Sequence, residues 1–182
     1  MGLIMTENKK EREPIPEGVY QGVTTGIIDL GTHYNPVYEK TNRKILIMWE
    51  IPELTITFKR DDHEVTAPRV ISKQYTASWN EKATLRKDIQ SWRGSVLSGA
   101  DAVSFDIFNM IGKNCMLQII NHASGDKTYS NIASILPLYK GIPEVAPTMD
   151  TITYSIEDGN NIPENMPKWI KEVILKSQEF AS

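Results

Sequence analysis

One run of residues combines the side chains needed to hold a polyanion carrying flat rings. It is Arg69-Val70-Ile71-Ser72-Lys73-Gln74-Tyr75-Thr76-Ala77-Ser78-Trp79. In an extended chain, alternate side chains share a face. Arg69, Ile71, Lys73, Tyr75, Ala77 and Trp79 then lie on one side, and Val70, Ser72, Gln74, Thr76 and Ser78 on the other. A core face does not hold Arg and Lys without partners, and a purely solvated face has no need of Tyr and Trp. Cations that neutralise phosphates beside rings that stack bases form the usual grip on an unpaired polynucleotide, with stacking contributing about 1–3 kcal/mol per base. The alternative is that Tyr75 and Trp79 cap the core while Arg69 and Lys73 are solvated.

Two further groups have the same composition. The segment 31–43 and the residue after it offer Tyr34, Tyr38, Lys40, Arg43 and Lys44, and a later turn brings Lys127 and Tyr129. Lys59 and Arg60 extend the positive track. Each residue alone is weak, so the reading depends on the topology bringing the groups together.

No catalytic set is expected. His33, His63 and His122 are far apart in sequence, and the single cysteine, Cys115, opens an apolar run where a buried, inert thiol is the default. Asp61, Asp62 and Glu64 are explained by a turn, with a Mg²⁺-dependent nuclease as the least favoured alternative. Phosphate-cradling glycine motifs are absent. The expectation is a non-enzymatic chain with no metal and no cofactor.

The elements that must position these residues follow from the patterning. Residues 1–17 are charged, contain Pro14 and Pro16, and read as a flexible arm. Gly18–Leu30 reads as a strand bent at its glycines, and 31–43 as a polar loop. Lys44–Ile51 is a second strand, stopped by Pro52. The alternating runs Thr55–Arg60 and Val70–Trp79 flank the polar cluster Asp61–Glu64, which implies a hairpin or one long bent strand. Asn80 is an N-cap candidate for a helix with Leu85, Ile89 and Trp92 on one face, ended by Gly94. A second helix is expected over Asp101–Ile111, strands over Asn114–His122 and Thr128–Leu138, a linker over 139–167 and an amphipathic helix over Lys168–Phe180. Three β-type runs, a helical stretch and two more β-type runs match a mainly β protein: an OB-fold-like five-stranded Greek-key barrel with helices between strands three and four, plus a C-terminal helix. The expected divisions are 1–17 (arm), 18–140 (barrel domain) and 141–182 (acidic linker and helix).

The net charge of −3 argues against indiscriminate DNA binding. It is unevenly spread: 143–182 carries −4, 1–17 carries −1 and the body between them +2. One thiol makes no internal disulfide, and there is neither a signal-like N-terminus nor an apolar run of about 20 residues, so a cytoplasmic, non-membrane protein is expected.

Several phrases occur together: Ile28-Asp29-Leu30-Gly31-Thr32, Met48-Trp49-Glu50-Ile51-Pro52, Lys73-Gln74-Tyr75-Thr76-Ala77-Ser78, the stretch Leu85–Gly94 ending in Trp92-Arg93-Gly94, Phe105-Asp106 with Ile111-Gly112-Lys113, and Pro167-Lys168-Trp169-Ile170. The series resembles a group of small phage and prophage proteins linked with DNA replication and recombination, similar to phage single-stranded DNA-binding proteins of OB-fold type. The resemblance spans residues 18–178. It implies single-stranded DNA as partner in a bacterial host cytoplasm, with phage or host replication proteins engaged through the C-terminal region. The chain ends Gln178-Glu179-Phe180-Ala181-Ser182, without the strongly acidic tip of bacterial single-stranded DNA-binding proteins. The competing function is a phage interaction or scaffold protein that binds no DNA and docks through Trp169 and Ile174.

Overall fold

A computed structural model describes residues 13–181. The chain is mainly β. The strands are β1 (Gly18–Asn35), β2 (Lys40–Arg60), β3 (His63–Thr76), β4 (Asn114–Ser124), β5 (Lys127–Leu136) and β6 (Ile152–Tyr154). The helices are α1 (Thr84–Arg93), α2 (Ala100–Val103), α3 (Lys168–Leu175) and α4 (Gln178–Ala181), with single 3₁₀ turns at Ile107–Met110 and Ile156–Asp158. Five antiparallel strands in the order β3-β2-β1-β4-β5 form a curled half-barrel, whose edges are β3 and β5.

β1 is the organising strand. Its first part, Gly18–Val23, pairs with β4, and its second, from Gly26 to Ile28, takes β6 in parallel. The change of partner falls at an irregularity between Thr24 and Gly26, where the Thr24 amide and hydroxyl both donate to the Lys113 carbonyl. A second irregularity lies between Asp29 and Gly31. Gly31 has φ +79°, and a Cβ there would stand 2.5 Å from the Ser177 Cβ, so the close approach of the C-terminal segment requires glycine.

The middle of the sheet is buried on both sides. On the concave side Ile27, Ile47, Trp49, Ile51 and Ile71 meet Leu85, Ile89 and Trp92 of α1 and Leu117, Ile119 and Ile135 of β4 and β5. Trp49 and Trp92 pack with ring centres 5.7 Å apart. On the other side Ile28, Leu30, Leu46 and Met48 meet Ile152, Tyr154, Met166, Ile170 and Ile174. Burying one such aliphatic side chain contributes about 1.5–3 kcal/mol. Ile170 and Ile174, one turn apart on α3, are therefore enough to fix that helix to its own sheet.

Several expected boundaries are different in the structure. The polar stretch 31–43 is not a loop: β1 runs to Asn35, β2 begins at Lys40, and only 36–39 turn, with Glu39 at φ +51°. Pro52 does not stop β2. The ladder skips from Ile51↔Arg69 to Thr55↔Pro68, and the extra residues absorb the proline in a bulge. Thr55–Arg60 and the start of β3 form a hairpin turned at Asp61 and Asp62, both at positive φ.

α1 starts at Thr84 with Ala83 rather than Asn80 at the N-cap, and the Asn80 side chain instead accepts from the Lys82 amide and closes a separate turn. It does end at Gly94, in the left-handed conformation (φ +75°), whose amide donates to Gln90 and Ser91 carbonyls. The helix expected over Asp101–Ile111 is broken. Ser104 and Asp106 are extended, and the Asp106 carboxylate takes the Phe108 amide to start a 3₁₀ turn instead.

Both ends of the described segment lie against the sheet. Most of the expected arm, residues 1–12, lies outside the described residues, but Ile15 is buried and its amide donates to the Ser130 hydroxyl at 2.7 Å. Within the expected linker, β6 and Met166 complete the outer core. Two carboxylates hold that segment. Glu50, fully buried, accepts from the Thr148 amide and hydroxyl and the Met149 amide. Asp29 accepts from the Gly31 and Ile156 amides and from Arg43. Among the described residues no helix is long and apolar enough to cross a membrane.

Candidate nucleic-acid interface

The face predicted on β3 is turned inward. Ile71 and Tyr75 sit in the concave core, and Tyr75 is only 3% exposed. Its hydroxyl donates to Asp88 Oδ2 at 2.7 Å, and the Lys73 ammonium reaches the same oxygen at 2.8 Å. Burial first, then the Asp88 charge, pushes the Tyr75 phenol far up, so it stays a neutral donor. The Lys73 ammonium is also 5.2 Å from the Tyr75 ring centre. Lys73 and Tyr75 thus form a closed unit with Asp88 on α1, and the expectation that Tyr75 stacks a base is corrected: no ring face is open.

Trp79 is likewise engaged within the chain. Phe105 lies 5.5 Å from it and within 7° of parallel, and the Trp79 indole N–H donates to the Asp101 carbonyl. Arg69 donates to the Glu13 carbonyl at 2.6 Å. These four residues do not form an outward strip.

The remaining expected residues separate into two groups along the sheet. β1 runs from Gly18, opposite Ile119 of β4, to Asn35, opposite Lys40 of β2. Its 18 residues span roughly 55 Å of contour at about 3.3 Å each. The β1–β2 tip lies at one end. The β2–β3 tip (Lys59, Arg60) and the β4–β5 tip (Lys127, Tyr129) both lie beyond the other, so the three groups do not converge. Lys59 and Arg60 stand opposite Glu64 and His63 in register, and with Asp61 and Asp62 in the turn the tip, 59–64, carries a net charge of −1.

The β1–β2 hairpin retains the expected chemistry. Tyr34 is 57% and Tyr38 71% exposed, with Val37 also in solvent between them. Lys40 is exposed. The Lys44 ammonium donates to the Thr76 hydroxyl at 2.9 Å. Arg43 pairs with Asp29 through both Nε and Nη2, while 43% of its side chain stays accessible. Burial disfavours the Asp29 charge, but Arg43 and the Ile156 and Gly31 amides outweigh it and hold this carboxyl below its ordinary value. The pair fixes the base of the hairpin and anchors the chain at Ile156.

Nothing in the sequence pattern marked Asp88, Asp29 or Glu50 as the partners of this region, since each acts across a large sequence separation. The signal available was chemical: Lys73, between Ile71 and Tyr75 on the same face, requires a carboxylate if those two are buried. Cys115 is fully buried, and burial pushes its thiol pKa up, so it stays protonated. Among the described residues no group of three or more His, Cys, Asp and Glu side chains is placed to hold a metal ion. Compared with known proteins, the chain matches no family model and no curated protein.

Proposed function

We propose that the chain is a non-catalytic single-stranded DNA-binding protein of phage replication or recombination, built on an OB-fold and acting in the cytoplasm of a bacterial host. The observation that carries this reading is the β1–β2 hairpin, which presents Tyr34 and Tyr38 to solvent and carries Lys40, Arg43 and Lys44 along its second strand. Bases stack on the two tyrosines, and the cations follow the phosphates. The strand order β3-β2-β1-β4-β5, with α1 between β3 and β4, supports the OB-fold, in which the β1–β2 loop is one of the ligand-binding loops. The resemblance to phage replication and recombination proteins supports the biological setting.

Binding to a labelled oligonucleotide tests the reading. For single strands the slope of log K against log salt is about −0.7 per neutralised phosphate. Two or three engaged cations then give a slope of about −1.4 to −2.1. Affinity that ignores salt, or no binding at low salt, rejects it.

A second reading, an interaction protein without DNA binding, is favoured by the ribbon formed by 55–60 and 63–68. It extends past the pairing with β1, and Ile56, Phe58, Val65 and Ala67 share one of its faces, with Phe58 exposed. Ile174 cannot serve that reading, because it is buried against the chain's own sheet, whereas Trp169 is 52% exposed.

A further inference from the structure

The motif Trp92-Arg93-Gly94 has no part in the hairpin, yet its Trp92 and Arg93 line a cleft. This opening, about 510 Å³, lies between the end of α1, the 3₁₀ turn at Ile107–Met110 and the start of β4. Its size falls in the range of small-ligand sites, about 300–1,000 Å³. The buried Trp92 contributes to its lining, and its indole N–H is already used on the Asn114 carbonyl.

The polar lining has both signs. Arg93 and Lys113 are the cations, and Asp101 and Glu144 the anions, with the Asn109 amide among them. The Arg93 guanidinium is held in place by two neighbours. Its Cζ lies 5.2 Å from the Phe105 ring centre, and Nη1 is 3.7 Å from Asp101. The Phe105 ring is backed in turn by Trp79, whose own ring has the Arg86 Cζ at 5.8 Å. Arg86 and Arg93, two turns apart on α1, therefore stand one beside each ring of the stacked Trp79–Phe105 pair. One third of the Arg93 side chain (34%) remains accessible to the cleft it lines.

A planar guanidinium held beside an aromatic ring is a platform for a nucleobase. A lysine is a point charge for a phosphate. Carboxylates accept from exocyclic amino groups, as they do from cytosine N4. We propose that this cleft binds one nucleotide unit, a nucleoside 5′-monophosphate with an amino-bearing base. The base lies on Arg93, its amino group is read by Asp101 or Glu144, and the phosphate is held by Lys113. A purely anionic ligand is poorly matched, because both carboxylates would repel it. The unit comes either as a free nucleotide or as the 5′-phosphorylated end of a strand. The site is separate from the hairpin: roughly 40 Å of β1 lies between Val23, beside the cleft, and Asn35.

Calorimetric titration of the full chain with deoxycytidine monophosphate, deoxycytidine and thymidine monophosphate tests this site. The expected result is saturable binding of deoxycytidine monophosphate, with the other two weaker by about tenfold or more. Lys113→Ala, an exposed change, should weaken the monophosphate and leave the nucleoside unaffected. Arg93→Ala should weaken both, with circular dichroism checking that α1 is retained. Competition by a 5′-phosphorylated oligonucleotide but not its unphosphorylated form assigns the strand end as the source, and competition by neither assigns the free nucleotide. A Tyr34→Ala/Tyr38→Ala variant should keep this binding, so failure at the hairpin does not count against the cleft. Absence of saturable binding by both the monophosphate and the phosphorylated oligonucleotide overturns the proposal, as does binding that both cleft variants leave unchanged.

Discussion

Replacing Asp29 by Asn tests how the C-terminal segment is held to the sheet. In the native chain the carboxylate accepts from the Gly31 amide at 3.0 Å, the Ile156 amide at 2.9 Å and the Arg43 guanidinium. An amide side chain has one acceptor oxygen, and its NH₂ would face one of these donors. Hydrogen bonds to a charged group contribute about 1.5–3 kcal/mol each, and breaking a buried ion pair costs about 3–5 kcal/mol. Arg43 is substantially exposed, so its share is smaller. The expected loss for Asp29→Asn is therefore about 2–3 kcal/mol, read as a lower urea midpoint at neutral pH.

The same residue makes a pH prediction. Its folded-state pKa is depressed, despite the cost of burial, by Arg43 and two backbone amides. The stability it contributes is fully present above the ordinary carboxyl value of 3.8 and is lost as pH falls through the lower folded value. Wild type should lose that increment in acid, and Asp29→Asn should not. A variant within about 0.5 kcal/mol of wild type at neutral pH, or one that keeps the full acid loss of stability, refutes the reasoning.

Two other substitutions distinguish structural from binding roles. Tyr75→Phe removes the hydroxyl on Asp88 but leaves Lys73 there, so chemical denaturation should show a loss of about 1 kcal/mol and oligonucleotide affinity should be unchanged. A fall in affinity with no change in stability would return Tyr75 to the interface. Gly31→Ala combines a left-handed φ with a Cβ 2.5 Å from Ser177; limited proteolysis should cut the C-terminal segment faster, and an unchanged digestion rate contradicts that docking.

The parts of the fold visible in the sequence are those set by local pattern. Alternation over Thr55–Arg60 and Val70–Trp79 implied strands, the second of which ends at Thr76 in the structure; the polar cluster Asp61–Glu64 implied a turn, which falls at Asp61 and Asp62; and Gly94 marked the helix end. Composition misled where solvent reaches both faces of a strand. Thr32–Asn35 and Lys40–Arg43 are polar because the hairpin projects, not because it lacks a ladder. Ile152–Tyr154 is a strand of only three residues, too short for alternation to register, and depends on the free edge of β1. The face of β3 was correctly grouped but given the wrong direction. Ile71 and Tyr75 bring Lys73 inward with them, and the carboxylate that makes this tolerable, Asp88, comes from a helix 15 positions later. At the hairpin, the exposure of Tyr34 follows from its place near a strand end and that of Tyr38 from its place in the turn.

Fluorescence anisotropy of a labelled single-stranded oligonucleotide, with wild type and the Tyr34→Ala/Tyr38→Ala variant at low salt, is the most direct measurement. Two stacked bases at about 1–3 kcal/mol each correspond to a loss of at least about thirtyfold in affinity, with the urea midpoint unchanged. Equal affinity for both proteins, or no binding by wild type, contradicts the account.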